Sequence, residues 1–204
     1  WRDVPHAIAK ATGLGALVYD RLGSGDSDPL SLPHSRDYLI EEATQSLPCV
    51  LDALSLERVI LVGHSDGATI ALIAAGAMPE RIAGVVALAP HLFSEPQTLA
   101  AIRSQIEAFE SGDLKQRLAR YHASKTETLF ARLVDAWTGG GLRHWGAEPW
   151  LAQIRCPVLA IRGTQDPYFS AAQTAALQAA ISGALETLAL PDCGHSPHQQ
   201  ARQA

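Results

Sequence analysis

The feature that most constrains this chain is the turn Gly63-His64-Ser65-Asp66-Gly67, set between an apolar β-like run (Arg58 to Gly63) and an alanine-rich helical run (about Ala68 to Ala77). A Gly-x-Ser-x-Gly turn in that setting reverses sharply from strand to helix. It forces the central residue into a strained backbone, and bulk on either side is expected to clash. Ser65 is thereby presented outward at the positive end of the following helix. The same residues could also be a serine N-cap with no chemistry. For Ser65 to be a nucleophile, the rest of the chain must supply a base and an acid.

A serine hydroxyl becomes nucleophilic when a histidine takes its proton and a carboxylate holds that histidine in the right tautomer. His195, in Asp192-Cys193-Gly194-His195, follows the β-like run Leu185 to Leu190, and Asp166, in Gly163-Thr164-Gln165-Asp166-Pro167, follows the run Pro157 to Gly163. Further β-like runs are Leu14 to Asp20 and Gly84 to Ala89. Alternation of these five candidate strands with helical stretches reads as an α/β fold with a mostly parallel sheet flanked by helices. In such a sheet the catalytic candidates Ser65, Asp166 and His195 all leave the carboxyl edge, where open α/β folds build their sites.

Apolar positions at helical spacing mark a helix between Asp37 and Leu56, which Pro48 should kink or divide. From about His91 to Arg155 helical periodicity dominates, carried by Leu99, Ile102, Ile106 and Phe109 and then by Leu129, Phe130, Leu133, Val134 and Trp137.

With the chain order Ser, Asp, His, the elbow, and the segment Asp20-Arg21-Leu22-Gly23-Ser24-Gly25-Asp26-Ser27-Asp28, the sequence resembles the α/β-hydrolase superfamily of serine hydrolases over nearly its whole length. The Ser-Asp-Gly elbow and the later Cys-Pro-Val strand look most like its biphenyl-hydrolase-like and valacyclovir-hydrolase-like esterases. The resemblance implies an α/β-hydrolase core over residues 1–90 and 156–204, with 91–155 as a helical cap insertion. Family members begin with strands that end in a His-Gly loop carrying half of the oxyanion hole. Here the resemblance starts after that loop and stops before the usual last helix, so the N-terminal strands and last helix are expected to be missing from the 204 residues. The backbone N–H of Asp66 is then the oxyanion donor in view. The Asp66 carboxylate has two readings: it binds an amino group on the substrate, or it serves the first turn of the helix.

The implied function is cleavage of a small carboxylic ester through an acyl-enzyme, with no cofactor and no metal required. C–C hydrolysis of a ring-cleavage product by the same residues, and ligand binding without catalysis, are the alternatives. The partner expected is a small-molecule ester. Sixteen Lys+Arg against 21 Asp+Glu, a formal charge of −5, argue against nucleic acid or an anionic membrane surface. The longest apolar stretch, Ala68 to Met78, is too short to span a bilayer. Cys49, Cys156 and Cys193 are odd in number and lack metal-ligand spacing, which fits a cytoplasmic, reduced protein. His64, His198 and Cys193 are read as packing or surface residues, and Asp20 and Asp26 as partners of turn backbone.

Overall fold

The computed structural model describes residues 1–30, 35, 37–139 and 145–201. Four β-branched and aliphatic runs become strands: β1 (Val59–His64), β2 (Ile82–Leu88), β3 (Val158–Gly163) and β4 (Leu185–Leu190). They form one sheet in the order β1-β2-β3-β4, every pair parallel. The register sets His64 beside Leu88, Leu88 beside Ile161, and Gly163 beside Leu190. The strand ends therefore align, and the segments that follow β1, β2, β3 and β4 emerge along one edge.

The helices are α1 (Val4–Thr12), α2 (Tyr38–Glu41), α3 (Leu47–Ala53), α4 (Asp66–Ala77), α5 (Pro96–Ser111), α6 (Leu114–His122), α7 (Thr126–Thr138), α8 (Glu148–Leu151), α9 (Ala171–Ala180) and α10 (Pro197–Gln200). The helix expected between Asp37 and Leu56 is divided, as Pro48 requires. Pro48 has no N–H for the carbonyl of Thr44, and a wide π turn over Glu42–Ser46 separates α2 from α3. Helix α4 is apolar on every side and is correspondingly buried, with Ala68, Leu72, Ile73, Ala74 and Ala75 fully enclosed. A side chain at Gly76 would run into the backbone of Trp150, so this glycine lets α8 lie directly on α4. No helix among the described residues is long and apolar enough to cross a membrane.

One expected strand does not form. Leu14 to Asp20 belongs to neither strand nor helix, and Leu14, Leu17 and Val18 are each more than half exposed. An apolar run becomes a strand only against a neighbour, and none of the four strands pairs with it.

The contacts of the chain group into two units, Trp1–His34 with Ser104–Asp135, and Ser35–Arg103 with Ala136–Ala204, so the division falls inside α5 and α7. Within the first unit, the loop after Asp20 is tied to the helical segment: the Gly25 N–H donates to His122 Nδ1 at 3.0 Å, and Lys125 Nζ donates to the Ser27 carbonyl at 2.6 Å. Asp20 serves turn backbone, its Oδ2 accepting from the Asp26 N–H at 3.0 Å. The rings of Phe109 and Phe130 stack with centroids 3.9 Å apart. The second unit carries the sheet and every residue of the candidate site.

Candidate active site

The turn from β1 into α4 has the strain its residues imply. Ser65 sits at φ 54°, ψ −121°, a conformation that non-glycine residues rarely adopt. Its N–H donates to the Leu88 carbonyl at 2.9 Å, while its own carbonyl accepts from Ala68 N–H and Thr69 N–H as α4 begins. The two flanking glycines are not equivalent. A Cβ on Gly63 would lie 2.1 Å from the carbonyl oxygen of Gly67, so Gly63 has to lack a side chain. A Cβ on Gly67 would meet nothing within 4 Å, which corrects the expectation that bulk on either side clashes.

Ser65, His195 and Asp166 come together. The Ser65 Oγ lies 3.1 Å from His195 Nε2, and His195 Nδ1 lies 2.8 Å from Asp166 Oδ2. An ionised carboxylate only accepts, so Nδ1 carries the proton toward Asp166 and Nε2 is left to accept from the serine hydroxyl. Asp166 is itself held: its Oδ1 accepts from the N–H groups of Tyr168 and Phe169 at 2.8 and 3.3 Å. Its side chain is 1% exposed, against 18% for His195. The arrangement therefore pairs a dry carboxylate with an imidazole that solvent or a small molecule can reach.

Gly163, which the sequence reading did not single out, makes this approach possible. A Cβ there would lie 2.1 Å from the Cys193 carbonyl and 2.2 Å from that of Gly194. The end of β3 and the loop bearing His195 are thus in direct backbone contact, sealed by Gln165 N–H donating to the Cys193 carbonyl at 2.8 Å. Cys193 is buried as expected, and burial pushes its thiol pKa up, with Asp166 adding to the effect. The cysteines are all unpaired.

His64 has more to do than fill space. Its Nε2–H donates to the carbonyl of His195 at 2.7 Å, and its ring lies between those of His195 and His198, at centroid distances of 4.9 and 4.7 Å. Burial lowers its pKa to about 4, helped by the neighbouring His195 and His198 and opposed by the hydrogen bond to the His195 carbonyl. His198, expected at the surface, is half-buried against this ring.

Asp66 occupies the first position of α4, where its backbone N–H adjoins the nucleophile candidate and its carboxylate favours the helix N-terminus. That carboxylate accepts from the Tyr38 hydroxyl at 2.7 Å and from His91 Nε2 at 3.1 Å. Neither Tyr38 nor His91 was signalled by any motif. Both reach Asp66 from far along the chain. Trp137 and Trp145 are buried beside His91. Among the described residues there is no cluster of three or more potential metal ligands.

The segment leading from β2 into α5 is fastened to the Asp166 side of the site by Gln173, which is 2% exposed. Its Oε1 accepts from Leu92 N–H at 2.8 Å, and its Nε2 donates to the Phe93 carbonyl and to Glu95 Oε1 at 2.9 and 2.8 Å.

The sequence profile of the alpha/beta hydrolase family matches residues 1–204. Among curated proteins, the chain is 28% identical over 203 residues to RutD of Klebsiella pneumoniae (strain 342), to which carbamate hydrolysis is assigned by name alone, covering 88% of this chain and 74% of that protein. It is 26% identical over 161 residues to the human serine hydrolase BPHL, covering 74% of this chain and 53% of that one. It is 36% identical over 99 residues to the 2-hydroxymuconate semialdehyde hydrolase of Pseudomonas sp. (strain CF600), covering 48% and 33%. In three dimensions it resembles the 2-hydroxy-6-oxo-6-phenylhexa-2,4-dienoate hydrolase of Rhodococcus sp. strain RHA1, with a TM-score of 0.72, 17% identity, and coverage of 98% of this chain and 79% of that one.

Proposed function

The chain belongs to the alpha/beta hydrolase family, and from that premise we propose that it is a serine hydrolase that cleaves a small carboxylic ester through an acyl-enzyme. The observation that carries this reading is the unbroken line of hydrogen bonds from Ser65 Oγ through His195 to Asp166. Ser65 Oγ attacks the ester carbonyl while His195 Nε2 takes its proton, and Asp166 stabilises the imidazolium that results. The oxyanion of the tetrahedral intermediate is met by the backbone N–H of Asp66. Collapse breaks the bond to the alkoxy group, which leaves with the proton from His195. A water, deprotonated by the same nitrogen, then attacks the acyl-enzyme, and the acid departs as Ser65 regains its proton.

The test is turnover of p-nitrophenyl acetate with mass spectrometry of the quenched enzyme. An acetyl group on Ser65, absent from Ser65→Ala together with the turnover, supports the reading. Turnover that survives Ser65→Ala removes it. A second reading, hydrolysis of a C–C bond, is favoured by the similarity to the 2-hydroxymuconate semialdehyde hydrolase. It predicts Ser65-dependent turnover of 2-hydroxymuconate semialdehyde with kcat/KM well above that for any small ester.

A further inference from the structure

His91 is a polar side chain for which neither the proposed reaction nor simple packing accounts. It is fully buried, and its Nδ1 has no hydrogen-bond partner. A bare buried acceptor is costly relative to an apolar ring of the same shape. The ring is walled by Trp137 at 4.8 Å, by Phe169 stacked at 4.9 Å, and by Trp145 at 5.7 Å. What the imidazole offers in return is one N–H, and it is spent on Asp66: with Nδ1 bare, Nε2 carries the proton and donates to Asp66 Oδ1 at 3.1 Å.

The backbone of His91 is held to α4 as well. Its N–H donates to Thr69 Oγ1 at 3.2 Å, and that hydroxyl donates back to the His91 carbonyl at 2.7 Å. Two residues before His91, Ala89 sits at φ 49°, and Leu88 accepts the N–H of Ser65. Segment 88–91 therefore grips the strained turn at Ser65 and again at Asp66. Tyr38, from α2, closes the far side by donating its hydroxyl to Asp66 Oδ2 at 2.7 Å. A strained conformation persists only where its surroundings over-determine it. Here they hold the strained Ser65 through its N–H, and the next residue, Asp66, whose N–H meets the oxyanion, through its carboxylate.

The geometry points to Tyr38 and His91 as positioning residues: acting through the Asp66 carboxylate, they lock the Asp66 main chain in line for the developing oxyanion, and so raise kcat without tightening substrate binding. This inference rests on the Ser65 nucleophile of the proposed function.

The experiment is steady-state kinetics of p-nitrophenyl acetate hydrolysis by Tyr38→Phe, His91→Phe and His91→Gln, with Ser65→Ala alongside and thermal unfolding measured for each. Removing an oxyanion donor outright costs about 10²- to 10³-fold in kcat, so loosening it should cost about 10-fold in Tyr38→Phe and between about 10- and 100-fold in His91→Phe, with KM within about twofold of wild type. His91→Gln, whose amide N–H can replace Nε2–H, should recover most of the loss. Unchanged kcat in the folded variants, a raised KM at constant kcat, or a glutamine variant no better than phenylalanine would each overturn the inference. Should His91→Phe fail to fold, Tyr38→Phe, which loses one oxygen atom, decides by the same split between kcat and KM. Activity surviving in Ser65→Ala would instead overturn the functional reading, so the two failures are told apart.

Discussion

His64 makes stability depend on pH in a way that a single substitution should abolish. In the folded protein it stays neutral down to a pKa of about 4, chiefly because it is buried, whereas the unfolded chain takes up that proton near 6.5. Between those values the unfolded state binds more protons, so acid favours unfolding. The stability is complete above pH 6.5 and is lost as pH falls toward 4. Going from about pH 7.5 to about pH 5, linkage for this one group removes about 2 kcal/mol. His64→Phe keeps a flat ring between His195 and His198 but cannot titrate. It also gives up the hydrogen bond to the His195 carbonyl, worth about 1 kcal/mol at every pH. Urea unfolding of the two proteins, followed by far-UV circular dichroism, should therefore give curves of stability against pH that cross. The variant is weaker by about 1 kcal/mol near pH 7.5 and stronger by about 1 kcal/mol near pH 5, the histidines that do not touch position 64 cancelling in the difference. Two parallel curves would show that His64 is protonated as readily in the folded as in the unfolded chain, and the argument from its burial would fail.

Gly63→Ala must push a methyl into the Gly67 carbonyl and should lose more than about 2 kcal/mol with most activity, while Gly67→Ala, facing open space in a helix, should match or slightly exceed wild-type stability; thermal unfolding of the pair separates them. Gly163→Ala drives a Cβ into the Cys193 and Gly194 carbonyls and should depress p-nitrophenyl acetate turnover by at least about 10-fold even in protein that remains folded, because a misplacement of about 1 Å at a reacting group is costly. Gln173→Leu strands the Leu92 N–H and takes a donor from the Phe93 carbonyl and from Glu95, and should cost about 2–4 kcal/mol in urea unfolding. Asp166→Asn should preserve the fold and lower kcat by about 10³- to 10⁴-fold, since the amide favours the wrong tautomer of His195.

Local pattern was enough to read the strands that carry the site. Val59–His64, Val158–Gly163 and Leu185–Leu190 are short apolar runs that each end at a turn, and a parallel sheet brings such turns to one edge. The run Leu14 to Asp20 has the same composition and is not a strand, because strand formation depends on a partner that composition does not reveal. Pro48 announced the break in its helix, since a missing N–H is a local defect. The supports of the site were not legible. Tyr38 and His91 meet Asp66 across 28 and 25 residues, and His64 meets His195 across 131. Nothing in the spacing of single tyrosines or histidines distinguishes such a contact from an ordinary core position. Gly163 was quoted only as the start of a turn, while the carbonyls that exclude a side chain there belong to a loop about 30 residues on.

The central claim is that Ser65 is a nucleophile activated by His195 and oriented through Asp166. Its most direct test is reaction with a fluorophosphonate, followed by proteolysis and mass mapping of the adduct. The account predicts a single phosphonylated peptide, modified at Ser65, no adduct in Ser65→Ala, and labelling slowed at least about 100-fold in His195→Ala, as removal of a general base requires. An adduct on any other serine, or equal labelling rates with and without His195, would contradict it.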